Sequence, residues 1–339
     1  MVTESPRAPT SPRLDARIAV MRDLEPALEA LLPTMRPVAD CWQPSDLLPR
    51  MGSDAWRDDL EALRAEAAQL TDEMLVVLVG NVVTEEALPS YLAALNRFGG
   101  MTDRTGTELH VWARFGRIWT AEEKRHGDVT RAYLYLSGRV DMKSVEVTVQ
   151  HLLRNGFDTK ADGDPYRGLS YASFQEHATK RAWSQLGQLV GGVGAPTLHR
   201  ICGIVAADEA RHERIYISVL REVVARDPVG ALEALEDTLC HAVAMPARTM
   251  SDGHDQSLFA HFADVGQRLG VYTLADYTEN LTQLIATLGL ASMKGLPAAA
   301  ESARDTICAL PARHRAYAGE RNSKPSRPVA FRWIHGRRA

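Results

Sequence analysis

The chain has 339 residues, 45% of them hydrophobic and 24% charged, with a formal net charge of −4 at pH 7. These proportions exclude a long disordered chain, and the slight acidity argues against a nucleic-acid binder. The four cysteines, Cys41, Cys202, Cys240 and Cys308, are scattered without a Cys-x-x-Cys pair, which fits free thiols in a reducing compartment better than a disulfide framework.

Residues 1–14 carry three prolines and no hydrophobic pattern, and read as a disordered tail. Helical patterning runs from Asp15 to Leu32, restarts at Pro26 and is stopped by Pro33 and Pro37. Residues 41–49 hold two prolines that forbid a helix, and Trp56 opens the next helix, to Leu70. Thr71 is placed as the N-cap of a helix expected to continue to Phe98 and end at Gly99-Gly100. Further helices are expected over 106–136, 141–154, from Pro165 to Val190 and over 197–226. The turn at 191–196 is the sharpest break; its glycines lack the Lys-Ser and the preceding strand of a phosphate loop. Four more helices follow, near 229–244, 257–268, 273–290 and 297–317, and the alternating tail 329–334 suits a short hairpin or a packed coil. Strict alternation is otherwise scarce, so the prediction is one all-α domain over 15–339. The best apolar run, Met74–Gly80, is far short of the roughly 20 residues that span a membrane.

On four of these helices the apolar stripe is interrupted by acids. Glu123 and His126 lie on a stripe with Trp112, Trp119, Thr130 and Tyr133; Glu209 and His212 lie on another with Cys202, Val205, Tyr216 and Val219. Glu85 and Glu176 sit on the stripes of two further helices. A spacing of three residues places Glu and His on one helical face, and among the 11 histidines only His126 and His212 have this arrangement. In chain order the pattern is Glu, then Glu-x-x-His, used twice, so two helix pairs stack into a four-helix bundle over about 71–226. One glutamate from each of two helices and Glu-x-x-His from each of two others is the ligand set of carboxylate-bridged di-iron and di-manganese bundles. The competing view is a set of salt-bridged core polar groups with Arg125 and Arg211 as counter-ions. It leaves four inward glutamates facing two arginines that lie one position off the ligand phase.

Thr84–Pro89, Trp119–Asp128, Phe174–Glu176 and Ala207–Glu213 closely resemble the soluble acyl-(acyl carrier protein) desaturases, the plant stearoyl type and its actinobacterial relatives. The resemblance extends from Trp42-Gln43-Pro44 through Tyr135–Met142 to Gln267–Thr273. It implies a ferritin-like four-helix bundle extended by additional helices, and two iron ions bound by Glu85, Glu123, His126, Glu176, Glu209 and His212. It selects Glu85 over Glu86 and Glu123 over Glu122, and makes Glu123 and Glu209 the bridging ligands. It further implies that Asp208 orients His126, that Trp42 forms an electron path from the surface, and that Thr179 faces the dioxygen pocket.

The implied reaction inserts a cis double bond into a saturated acyl chain on acyl carrier protein, using dioxygen and electrons from ferredoxin, in a homodimer. Arg211, Arg214, Arg221, Arg313, Arg315 and Arg321 are candidates for a basic surface that receives the acidic carrier. Arg97 and Phe98, and Ala260 in place of an acidic residue, depart from the plant pattern and are expected to alter the tunnel or its mouth. The N-terminal stretch suits a bacterial cytoplasm rather than a plastid. Rival readings on the same bundle are iron oxidation and storage, a fatty acyl hydroxylase, and a radical-generating subunit using Tyr133 or Tyr216. A degenerate, poorly active paralogue is a further alternative.

Overall fold

The computed structural model describes residues 11–241, 243–321 and 327–339, with backbone alone for 318–321. Thirteen α-helices follow in order: α1 Pro12–Asp23, α2 Glu25–Leu31, α3 Trp56–Ala67, α4 Asp72–Glu85, α5 Leu88–Leu95, α6 Val111–Ser137, α7 Met142–Asn155, α8 Pro165–Gly192, α9 Pro196–Arg226, α10 Pro228–Leu239, α11 Leu258–Leu269, α12 Leu274–Thr287 and α13 Ala298–Arg321. Among the described residues the only β pairing is a single bridge between Ala330 and Arg338. It closes the tail around a 3-10 turn, Arg332–Ile334, whose Trp333 indole donates to Thr148 Oγ1 at 2.9 Å.

Local chemistry sets most of the boundaries. Thr71 caps α4 by accepting from Met74 N, Asp141 caps α7, and Gly138 ends α6 in the left-handed region. Ser11 caps α1 from Pro12, so the expected disordered tail ends earlier than residue 14; its residues 1–10 lie outside the described residues. The helix expected to run from Thr71 to Phe98 is instead two helices that part at Glu86-Ala87. Pro89 explains the break: its ring would collide with the Glu85 carbonyl, and it has no N–H to donate there. α6 starts at Val111, capped by the His110 side chain, rather than near 106.

The apolar side chains of α6, α8 and α9 divide between two packed clusters. Trp112, Phe115 and Trp119 of α6, Tyr166–Phe174 of α8 and Ile215–Val224 of α9 join one, with α1, α2, α10, α12 and α13. Val129–Leu134, Trp183–Val190 and Leu198–Ala206 join the other, with α3, α4, α7 and the tail. Glu122–His126, Glu176 and Asp208–His212 therefore fall in one layer between two apolar layers. α8 and α9 pack closely where side chains are absent: a Cβ on Gly187 would stand 3.0 Å from that of Cys202. No single helix among the described residues is long and apolar enough to cross a membrane. All four cysteines are free thiols.

Candidate metal centre

Glu85 ends α4, Glu123 and His126 lie mid-way along α6, Glu176 on α8, and Glu209 and His212 on α9; all six are buried. Glu123 spans both imidazoles, with Oε2 3.3 Å from His126 Nδ1 and Oε1 2.8 Å from His212 Nδ1. Glu209 does the same from the other side, at 3.3 Å and 3.7 Å. Glu85 Oε2 lies 3.9 Å from His126 Nδ1 and Glu176 Oε2 3.6 Å from His212 Nδ1. Two overlapping donor sets result, Glu85/Glu123/His126/Glu209 and Glu123/Glu176/Glu209/His212, each with one ligand atom per residue inside a 4.8 Å span. Glu123 and Glu209 belong to both.

The arrangement fits a pair of cations. Glu123 Oε1, His126 Nδ1, Glu209 Oε1 and His212 Nδ1 are buried without a hydrogen-bond partner and face one another, an arrangement that leaves several kcal/mol uncompensated unless a cation binds (~3–5 for one buried unpaired charge). Burial pushes the Glu85 carboxyl up to about 8 and lifts Glu176 well above the ordinary carboxylate range. Burial also acts on Glu209, but the facing imidazoles of His126 and His212 outweigh it and hold this carboxylate low. Burial opposes charge on both histidines, yet Glu123 beside His126 and Glu122 beside His212 lead the contacts that raise them well above the usual value. Divalent cations would replace these protons, because metal ligation requires the deprotonated donors. Mixed carboxylate and imidazole donors suit first-row transition metals.

The far nitrogen of each imidazole also meets an acid. His126 Nε2 lies 3.5 Å from Asp208 Oδ2, and His212 Nε2 lies 3.1 Å from Glu122 Oε2. Such outer carboxylates fix the ring tautomer and orientation. Asp208 also accepts from Trp42 Nε1 at 2.9 Å, Arg125 at 3.3 Å and Arg36 Nε at 3.4 Å, and from Arg211. The Trp42 ring is half-buried and nearly parallel to His126, with centroids 6.2 Å apart and Arg125 over its face. Arg211 also bonds Glu122, so it is part of this buried network and not of an open basic surface. Glu122 was passed over in the sequence reading, although acid-Glu-x-Arg-His recurs as Glu122–His126 and Asp208–His212. That repeat was the available signal.

Two cavities meet at the cluster. The first is walled by Tyr91, Phe98, Phe157, Gly168, Tyr171 and Trp119 and reaches Glu85, Glu123, Glu176 and Glu209. The second lies between α4, α8 and α11, against Asn81, Trp183, Phe259, Phe262 and Tyr272. Thr84, Glu85, Gln175, Thr179 and Pro246 line both, so the two adjoin as arms of one mostly apolar passage beside the donor cluster, with Glu85 the donor common to both walls. Thr179 stands in this shared stretch, its hydroxyl donating to Gln175 O at 3.1 Å. Phe98 closes the first arm against Gly168, where a Cβ would stand 2.6 Å from the ring. Arg97 is exposed and lines neither arm, and Ala260 is exposed on α11. Tyr216 lines the first cavity, whereas Tyr133 lines neither.

The chain is 44% identical over 324 residues to stearoyl-[acyl-carrier-protein] 9-desaturase 1, chloroplastic, of Oryza sativa subsp. indica, covering 94% of this chain and 85% of that protein. It is 44% identical over 315 residues to the acyl-[acyl-carrier-protein] 6-desaturase of Thunbergia alata, covering 91% and 81%. The X-ray structure of the acyl-ACP desaturase DesA2 of Mycobacterium tuberculosis H37Rv shares the fold, with a TM-score of 0.54 and 18% identity over 80% of this chain and 96% of that one. With residues 16–335 matching the family's sequence model, the chain belongs to the fatty acid desaturase family.

Proposed function

We propose that the protein desaturates a saturated fatty acyl group carried on acyl carrier protein, at two iron ions held by Glu85, Glu123, His126, Glu176, Glu209 and His212. One observation carries this reading: a buried double donor set lies against a mostly apolar passage made of two adjoining cavities. A site for iron oxidation alone needs no such passage. The names of the similar plant proteins point the same way.

The iron pair, when bound, supplies dioxygen activation and the removal of two hydrogens from neighbouring methylenes. The chain's own residues supply placement. Glu123 and Glu209, which each face both imidazoles, would hold both ions, while Asp208 and Glu122 would keep the imidazoles in register. The first arm suits the methyl end, because the Tyr91 and Tyr171 hydroxyls are already bonded to backbone carbonyls and present only ring surface. The second arm suits the thioester end, because Asn81 Nδ2 and the Tyr272 hydroxyl are buried there without a partner. Phe98 against Gly168 would limit how far the chain slides, and so which carbons reach the donor cluster. Thr179 would offer a hydroxyl oxygen where the two arms adjoin.

Electrons from ferredoxin would enter at Trp42, whose ring continues inward to His126 and whose N–H reaches Asp208. The acidic carrier would dock by steering onto exposed cations. Arg248, next to Ala247 of the second arm, joins Arg214, Arg221, Arg313 and Arg315 as candidates; the Arg321 side chain lies outside the described residues. A homodimer belongs to the same reading and is tested by sedimentation.

The decisive assay supplies reduced ferredoxin, dioxygen and saturated acyl-carrier substrates, and locates products by mass spectrometry. A monoene at one position, lost in Glu123→Ala and His212→Ala, is the expected result. Hydroxylated product, or ferrous oxidation without product, from folded iron-loaded protein would overturn it.

A further inference from the structure

Two of the four cluster carboxylates carry a contact that metal ligation does not require. Trp183 Nε1 donates to Glu85 Oε1 at 2.8 Å, and Trp119 Nε1 donates to Glu176 Oε1 at 3.1 Å. Both indoles are buried. Glu123 and Glu209, which span the two histidines, receive no indole N–H. Each of the outer glutamates therefore has one oxygen held by an indole, while the other turns toward a histidine Nδ1.

The same two rings are cavity walls, one in each arm: Trp119 lines the first and Trp183 the second. An indole is a rigid plane with its N–H in that plane, so any rotation of the ring by a neighbour re-aims the donor by the same angle. Among the described residues no other donor is hydrogen-bonded to Glu85 Oε1 or Glu176 Oε1, so each carboxylate must follow its indole or lose the bond.

We propose that Trp119 and Trp183 are positioning residues that transmit the presence of an acyl chain in each arm to the outer carboxylate beside it. Acyl binding and metal coordination are then coupled. The inference rests on the cavity being the acyl site, as argued above. Coupling is reciprocal: the factor by which the acyl chain changes metal affinity equals the factor by which metal changes acyl affinity.

The test uses full-length protein with and without Co2+ under argon, titrated with stearoyl- and palmitoyl-carrier protein. The visible Co2+ spectrum reports coordination, and acyl affinity is measured in both metal states. Wild type should show a spectral change on acyl binding and an acyl affinity that differs about fivefold or more between the metal states. Trp183→Phe and Trp119→Phe keep a ring in the wall and remove the N–H. Folding of each variant is checked by its circular-dichroism melt; relative to its own acyl affinity without metal, each should lose part of the spectral change and of the affinity difference. The double variant should lose both. A wild-type response in the double variant, or a wild-type Co2+ spectrum that ignores bound acyl carrier, overturns the inference while leaving the desaturase reading intact. Wild-type protein that binds no acyl carrier in either metal state overturns both.

Discussion

The two halves of the donor cluster are built from one five-residue pattern, acid-Glu-x-Arg-His, but they are tied differently to the rest of the molecule. Around His126, the outer acid Asp208 accepts from Trp42, Arg36, Arg125 and Arg211, and Trp42 carries the network to a half-buried position. Around His212, the outer acid Glu122 accepts from the Arg36 backbone N–H at 3.0 Å and from Arg211, and no aromatic ring leads outward through it. The difference comes from the irregular segment between α2 and α3, which lies against one outer acid with both Arg36 and Trp42 side chains and touches the other with a backbone amide. A repeated ligand pattern thus gives equivalent donors in unequal surroundings: the His126 half is tied to the half-buried Trp42, whereas the ring beside His212 is that of the buried Trp119.

Substitutions separate the two halves. The largest effect is expected where the halves share a donor. Glu209→Ala should abolish binding of both ions together, and activity with them, as read by metal analysis of the purified protein; retention of one ion would show that the halves are independent. Next, Asp208→Asn should lower metal affinity by about 10–100-fold. Glu122→Gln should fall at the low end of that range, because Glu122 has fewer donors to leave unpaired. Equal losses by competitive chelator titration would remove the asymmetry.

Trp42→Phe removes a hydrogen bond to the charged Asp208 and alters the ring under Arg125. It should cost about 2 kcal/mol in denaturant unfolding and slow reduction by ferredoxin, with metal content unchanged. Unaltered stopped-flow reduction would place electron entry elsewhere. The smallest effect is expected for Arg36→Ala. It deletes the half-buried guanidinium's long contact to Asp208, at 3.4 Å, but keeps the backbone N–H on Glu122; Asp208 retains its other donors, so the loss should be about 1 kcal/mol. The change should appear in signals of the His126 half alone, for example the imidazole resonances of Co2+-loaded protein.

Much of this was legible in the chain. Helix ends marked by Thr71, Asp141, Gly138 and Gly156 depend on local capping and backbone chemistry. The inward phase of Glu85, Glu123, His126, Glu176, Glu209 and His212 follows from turning about 100° per residue. Pro89 carried the signal for the break after Glu85, but the apolar stripe continuing through Leu92 masked it. Arg211 was legible only as a charge; its burial is set by Asp208 and Glu122, on its own helix and the next. Trp183 was legible as a core residue and not as a donor to Glu85, because its partner lies 98 positions away.

Which residues share a helical face can be read from the chain, since it depends on a periodicity internal to each helix. What each face meets depends on the whole fold. The acid preceding Glu123 on α6 serves the histidine of α9, and the acid preceding Glu209 on α9 serves the histidine of α6. That crossed pairing depends on how two helices are rotated and shifted against each other. Those quantities are fixed by packing across the bundle, not by spacing within either helix.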